Sequence, residues 1–236
     1  MEYTLSDIYN RKDHAPQTLY DAFNTFIFSE DRRVFGKLLH RYDFFCKVKQ
    51  LPGDIVEVGV FKGSGIATWC KFIDLFIPHT TKTVIGFDLF TSENKSEVLD
   101  SYKNGEIMKT VTDRTEQSKL SLQAVSEILE NAKINKNKFI LIEGDVSLTS
   151  GDFVRKNPGF RISLLYLDLD LDEPTYNTLC NLWDRVVTGG YIILDEYEYH
   201  KFDESNGVDR FFKERKIKYT IISTNFYAPT AYIIKE

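Results

Sequence analysis

Asp168, Asp170 and Asp172, then Asp195 and Glu196, place two groups of carboxylates within 29 residues. The first three follow the apolar run Ile162–Leu167, and the last two follow Tyr191–Leu194. Between the runs lie one helical segment and a Gly-Gly pair, read as a turn. A strand–helix–strand unit makes its two strands parallel neighbours, with their C-terminal ends on one edge of the sheet. Open α/β sheets bind ligands at that edge. The acids are therefore expected to converge in one crevice. Crowded carboxylates repel one another unless a cation or a proton sits among them, so the pattern points to a divalent metal or an acid–base site.

A second set of residues suits a nucleoside. The strand read over Asp54–Val60 runs into Glu57-Val58-Gly59-Val60-Phe61-Lys62-Gly63-Ser64-Gly65, and a helix follows over Gly63–Phe76. Glycines let a backbone turn sharply and approach a ligand closely, and a helix N-terminus offers unpaired amides to an anion. The next strand, Thr83–Asp88, ends in an acid placed to accept ribose hydroxyls. The third, Phe139–Glu143, ends in Glu143-Gly144-Asp145, where Asp145 suits an adenine amino group. Phe61 breaks the dinucleotide G-x-G-x-x-G pattern, and no Gly-Lys-Ser/Thr follows.

These elements must be positioned by a fold, and the rest of the chain supplies one. With 236 residues, 42% hydrophobic and 28% charged, the chain suits a single large α/β domain with a full core. A net charge of −5 without a basic stripe argues against a nucleic-acid partner. The opening residues lack a signal pattern and no apolar run is long enough for a membrane span, so a cytoplasmic protein is expected, with no membrane partner. Cys46, Cys70 and Cys180 read as reduced, buried thiols. Residues 1–50 are expected to form an N-terminal helical cap, including an amphipathic helix over 33–50 with Val34, Leu38, Tyr42 and Phe45 on one face. Its aromatic residues suit a core or a homo-oligomer interface. Residues 91–118 are charged and poor in large apolar groups, and read as a long excursion or mobile lid. Leu120–Ala132 and Gly207–Arg215 read as helices, and Ile217–Ser223 and Thr230–Ile234 as a closing antiparallel pair. The expected fold is α/β and Rossmann-like. It is a doubly wound, seven-stranded sheet, mostly parallel with an antiparallel C-terminal strand.

Glu-x-Gly-x-x-x-Gly at residues 57–63 is the pattern of S-adenosylmethionine sites. With it, the blocks Pro52–Gly63 (PGDIVEVGVFKG), Gly86–Phe90 (GFDLF), Leu167–Asp170 (LDLD), Gly189–Tyr197 (GGYIILDEY) and Gly207–Phe211 (GVDRF) resemble class I methyltransferases. The resemblance is strongest to the sugar O-methyltransferases of the TylF/MycF type. It implies S-adenosyl-L-methionine bound by Glu57, Gly59, Gly63, Ser64, Asp88, Gly144 and Asp145 in residues 51–236. It also implies Mg²⁺ held by Asp168, Asp195 and Glu196. The chain departs from the family at Gly63-Ser64-Gly65, where Gly-Gly-Ser is usual, and at Asp195-Glu196-Tyr197, where Asp-Asp-Tyr is usual. Leu171 stands where catechol-type enzymes carry a lysine.

The resulting expectation is an O-methyltransferase acting on a hydroxyl of a small-molecule acceptor, a sugar or nucleotide-linked sugar. Asp170 is the first candidate for general base and Asp168 the second. His200 is read as a surface residue. The rivals are an NAD-dependent nucleotide-sugar enzyme, an Asp-x-Asp glycosyltransferase, and a non-catalytic cofactor-binding protein.

Overall fold

A computed structural model describes residues 17–236. The part of the expected cap in residues 1–16, His14 included, lies outside the described residues. Two helices come first among the described residues, α1 (Gln17–Ile27) and α2 (Arg32–Val48). Then β1 (Asp54–Val58), α3 (Ser64–Phe76) and β2 (Val84–Asp88) alternate. The excursion that follows folds as two short helices, α4 (Lys95–Ser101) and α5 (Gly105–Asp113). After α6 (Leu122–Asn131) come β3 (Phe139–Glu143), α7 (Val146–Lys156), β4 (Ile162–Leu167), α8 (Asp172–Leu182) and β5 (Val186–Leu194). The chain closes with α9 (Glu204–Arg215), β6 (Ile222–Ser223) and β7 (Ala231–Ile234).

The seven strands run in the order β3-β2-β1-β4-β5-β7-β6. The first five are parallel, and β7 lies antiparallel to both β5 and β6. Strand alternation explains the layers, because successive side chains point to opposite faces. Val56, Val58, Ile85, Phe87, Leu165 and Leu167 face the core under α7, α8 and α9. Ile55, Val84, Leu164, Tyr166 and Ile193 face α2, α3 and α6. The strand order reverses between β1 and β4, and a ligand crevice opens at such a switch point.

Three expectations change. The helix at Val146–Lys156 was not read from the sequence, where small and β-branched residues hide its period; Asp145 caps it by accepting from the Ser147 amide. Gly189 and Gly190 are inside β5 and not in a turn before it, at a register shift against β4. The buried face of α2 is Gly36, Arg41, Phe44, Phe45 and Val48, while Val34, Leu38, Leu39 and Tyr42 are exposed. The described helix α1 buries none of its residues. The three cysteines are free thiols; Cys70 is buried and the other two are partly so. Among the described residues no helix is long and apolar enough to cross a membrane.

Candidate active site

The strand ends converge as their order requires. The Gly59 amide donates to the Phe87 carbonyl, that of Asp168 to Val58, that of Asp195 to Leu167, and that of Gly144 to Asp88. Gly59 has φ +92°, and a Cβ there would run into the Asp168 carbonyl oxygen, so the loops after β1 and β4 can touch only if this residue is glycine. Above these ends lies one cavity of about 410 Å³, a size suited to a small organic ligand.

One end of the cavity carries Gly59, Asp88, Gly144 and Asp145. Asp88 accepts from the Phe61 amide (2.8 Å) and the Phe90 amide (2.6 Å), which aims its carboxylate and shapes the glycine loop. Burial pushes the Asp88 carboxyl up, and those amides oppose it. Phe61, in the left-handed region at φ +51°, lines the same space. The segment holding α4 and α5 covers this end. Leu99, Met108 and Leu120 line the cavity, and the Tyr102 hydroxyl donates to Asp145 Oδ1 (2.7 Å) and pairs with Ser147. Asn104 reaches across to Asp203 (2.7 Å), at the root of α9.

Three of the expected cofactor residues take other places. Glu57 is buried beneath α3, where Trp69 donates to it (2.6 Å) and Arg41 pairs with it (3.3 Å). Burial pushes its carboxyl up and Arg41 opposes that. Gly63 and Ser64 open α3, with Ser64 exposed. None of the three lines the cavity.

The other end holds Asp168, Asp170, Asp195 and Glu196, with Lys37 among them. Lys37 Nζ donates to Asp168 Oδ2 (2.9 Å) and to Asp195 Oδ2 (2.8 Å). The buried Tyr166 hydroxyl donates to the second oxygen of Asp195. Asp170 sits at φ +63°. Burial, then the charges of Asp168, Glu196 and Asp195, push its carboxyl up to about 8. Glu196 is pushed up to about 7 by burial and by Asp195 and Asp168. Asp195 is pushed up to about 6 by burial and Asp168, against Lys37 and Tyr166. Asp172 faces away: it pairs with Arg210 (3.0 Å) and does not line the cavity.

Sequence reading missed two residues here. Lys37 gave no signal, since nothing in a helical pattern says where a lysine head will land. Glu204 is fully buried and accepts from the Leu169 and Glu196 amides (both 3.4 Å), which ties the two acid loops together. Burial and the cluster's negative charge hold its carboxyl well above the usual range.

Magnesium takes about six oxygen ligands in near-octahedral geometry. The oxygens here are hard donors of the right kind, but Asp168 and Asp195 close on an ammonium already between them. Among the described residues no three carboxylate, histidine or cysteine side chains share one ion position. The arrangement does not fit Mg²⁺, and Glu196 does not complete a site with the other two.

Residues 44–229 match the macrocin-O-methyltransferase (TylF) family. The chain belongs to that family. It is 31% identical over 150 residues to the demethyldecarbamoylnovobiocin O-methyltransferase of Streptomyces niveus, a match covering 62% of this chain and 53% of that protein. A match of 30% over 151 residues is made to the 8-demethyl-8-(2,3-dimethoxy-alpha-L-rhamnosyl)-tetracenomycin-C 4'-O-methyltransferase of Streptomyces olivaceus, covering 62% and 54%. These alignments span about half the length of each relative. Among solved structures, a calicheamicin methyltransferase superposes with TM-score 0.69 at 19% identity, covering 99% of this chain and 94% of that one. The O-methyltransferase NovP superposes at 0.68 with 22% identity, covering 84% and 78%. The fold of this chain is shared with both of these methyltransferases.

Proposed function

We propose that this TylF-family chain is an S-adenosylmethionine-dependent O-methyltransferase acting on a hydroxyl of a small-molecule sugar or nucleotide-linked sugar. One observation carries the reading: a single cavity joins the Asp88–Asp145 end to the Asp168–Asp170–Asp195 end. The first end has the chemistry of a ribose and adenine site, with two carboxylates as acceptors beneath an apolar cover. At the second end the buried carboxylates of Asp170 and Asp195 have raised proton affinity, as acid–base work requires. The curated relatives, both named O-methyltransferases, support the reaction class, and the rhamnosyl group in one relative's name supports a sugar acceptor.

S-adenosylmethionine, when bound, supplies an activated methyl group on a sulfonium. The chain's own residues then have two tasks. Asp88 and Asp145 hold the nucleoside through its hydroxyls and amino group. Asp170 receives the proton that the acceptor hydroxyl loses as its oxygen bonds the methyl carbon. The carbon–sulfur electron pair stays on sulfur. A carboxyl with affinity near pH 8 is a stronger base, once ionised, than an ordinary aspartate. Asp168, committed to Lys37, is placed second. Lys37 stands between Asp168 and Asp195, two of the three residues expected to hold Mg²⁺.

The test is transfer of labelled methyl from S-adenosylmethionine to a panel of nucleotide-linked and glycoside deoxysugars, with S-adenosylhomocysteine, NAD and UDP compared by thermal shift. Stabilisation by NAD or UDP and not by S-adenosylhomocysteine would overturn the reading in favour of its enzyme rivals.

A further inference from the structure

We propose that Lys37 is the resident cation of the acid cluster, filling with an ammonium the position that a divalent ion would need. The proposal rests on the methyl-transfer reading only for its consequence, not for its geometry. The Lys37 head meets Asp168 and Asp195 at 2.9 and 2.8 Å, from residues 131 and 158 positions away in the chain.

Its placement is built into the fold. One helical turn further along α2, Arg41 pairs with buried Glu57 and lies over the rings of Tyr166 (4.9 Å) and Trp69 (5.8 Å). Removing one partner of such a buried pair leaves the other charge uncompensated, so α2 is held in register. Phe44, Phe45 and Val48 anchor the same helix in the core. At Gly36 the ring of Phe226 fills the space where a Cβ would stand, fixing α2 against the loop before β7. Lys37 therefore arrives on a rigid support and not on a loose surface arm. A lysine ammonium has three donors. Two are used by the carboxylates, and among the described residues the third has no partner, while the side chain lines the cavity. That third N–H is available to the acceptor oxygen.

A divalent ion bound by Asp168 and Asp195 would have to sit against this fixed positive charge, and like charges at such range repel strongly. Lys37 thus excludes the metal. Removing the ammonium frees Asp168 and Asp195 to take one.

The deciding experiment is Mn²⁺ binding to the full chain by electron paramagnetic resonance, for the natural protein and for Lys37→Met, Lys37→Arg and Lys37→Met/Asp195→Asn. Mn²⁺ is expected to bind Lys37→Met at one site at least tenfold tighter than the natural protein. Lys37→Arg should resemble the natural protein, and the double variant should lose the gained site. Equal Mn²⁺ affinity in the natural protein and Lys37→Met overturns the proposal, as does a micromolar site already present in the natural protein. S-adenosylhomocysteine binding, measured by calorimetry on each variant, reports folding and tests the methyl-transfer reading separately. Failure of all four proteins to bind it would sink that reading and leave the Mn²⁺ result to decide Lys37.

Discussion

The Tyr102 hydroxyl donates to Asp145 at 2.7 Å, which ties the segment between β2 and α6 to the end of β3. On the opposite side Asn104 holds Asp203 at 2.7 Å. The segment thus crosses the cavity with one polar latch on each side, carrying Leu99 and Leu120 inward. The Asn104–Asp203 bond is exposed and the Tyr102–Asp145 bond part-buried, and bonds near the surface open locally at low cost. Limited proteolysis within residues 91–118 is expected to slow when S-adenosylhomocysteine and an acceptor are present. Tyr102→Phe should cut faster than the natural protein when both are unliganded. Equal cutting rates in every condition would make the segment a fixed cover.

Asp88 has its two oxygens on the Phe61 and Phe90 amides and also faces the cavity. Asp88→Ala should weaken S-adenosylhomocysteine binding by about 1–3 kcal/mol, the range for hydrogen bonds to a charged group. Calorimetry at fixed salt measures it. Unchanged affinity would remove Asp88 from the nucleoside site.

Asp170→Asn keeps the shape and the left-handed backbone, which asparagine tolerates, but cannot take a proton. Turnover is expected to fall by about 10²–10⁴, the usual contribution of a general base, with cofactor affinity unchanged. If Asp168→Asn loses as much turnover and Asp170→Asn loses none, the two carboxylates exchange roles.

The same cluster sets a pH dependence of stability. Asp170, Glu196 and Asp195 bind protons in the folded protein up to about pH 8, 7 and 6, whereas in the unfolded chain they release them near pH 4. Between those limits the folded state carries more protons. The stability from these groups is therefore complete below about pH 4 and is lost as pH rises through 6 to 8. The charges facing Asp170 are Asp168, Asp195, Glu196 and Lys37. Asp170→Asn mimics the neutral acid, so it should raise the melting temperature relative to the natural protein more at pH 8.5 than at pH 5.5. Thermal unfolding followed by circular dichroism checks the sign; equal shifts at the two pH values would mean that Asp170 keeps one charge state across the range.

The sheet and its acid-bearing edge were legible because they depend on local pattern. The predominantly apolar strand segments at Ile55–Val58, Val84–Phe87 and Ile162–Leu167 need two covered faces, and parallel neighbours then bring Gly59, Asp88, Gly144 and Asp168 to one rim. The antiparallel β7 followed from a connection too short for a crossover. Asp145 was legible as an acid at the end of β3, but not as the cap of α7, because the helix it starts has a weak period.

Which face of α2 turns inward, and which cation meets which acid, only the tertiary structure decided. The apolar stripe of Val34, Leu38 and Tyr42 faces outward, while Arg41 goes in. Glu57 buries a carboxylate in the sheet, and a cation beside it costs less than a charge left alone. Turning Arg41 toward Glu57 carries Lys37, four residues earlier on the same side of the helix, onto Asp168 and Asp195. A local pattern reports periodicity along one segment. It holds nothing about a charge balance between residues more than 130 positions apart.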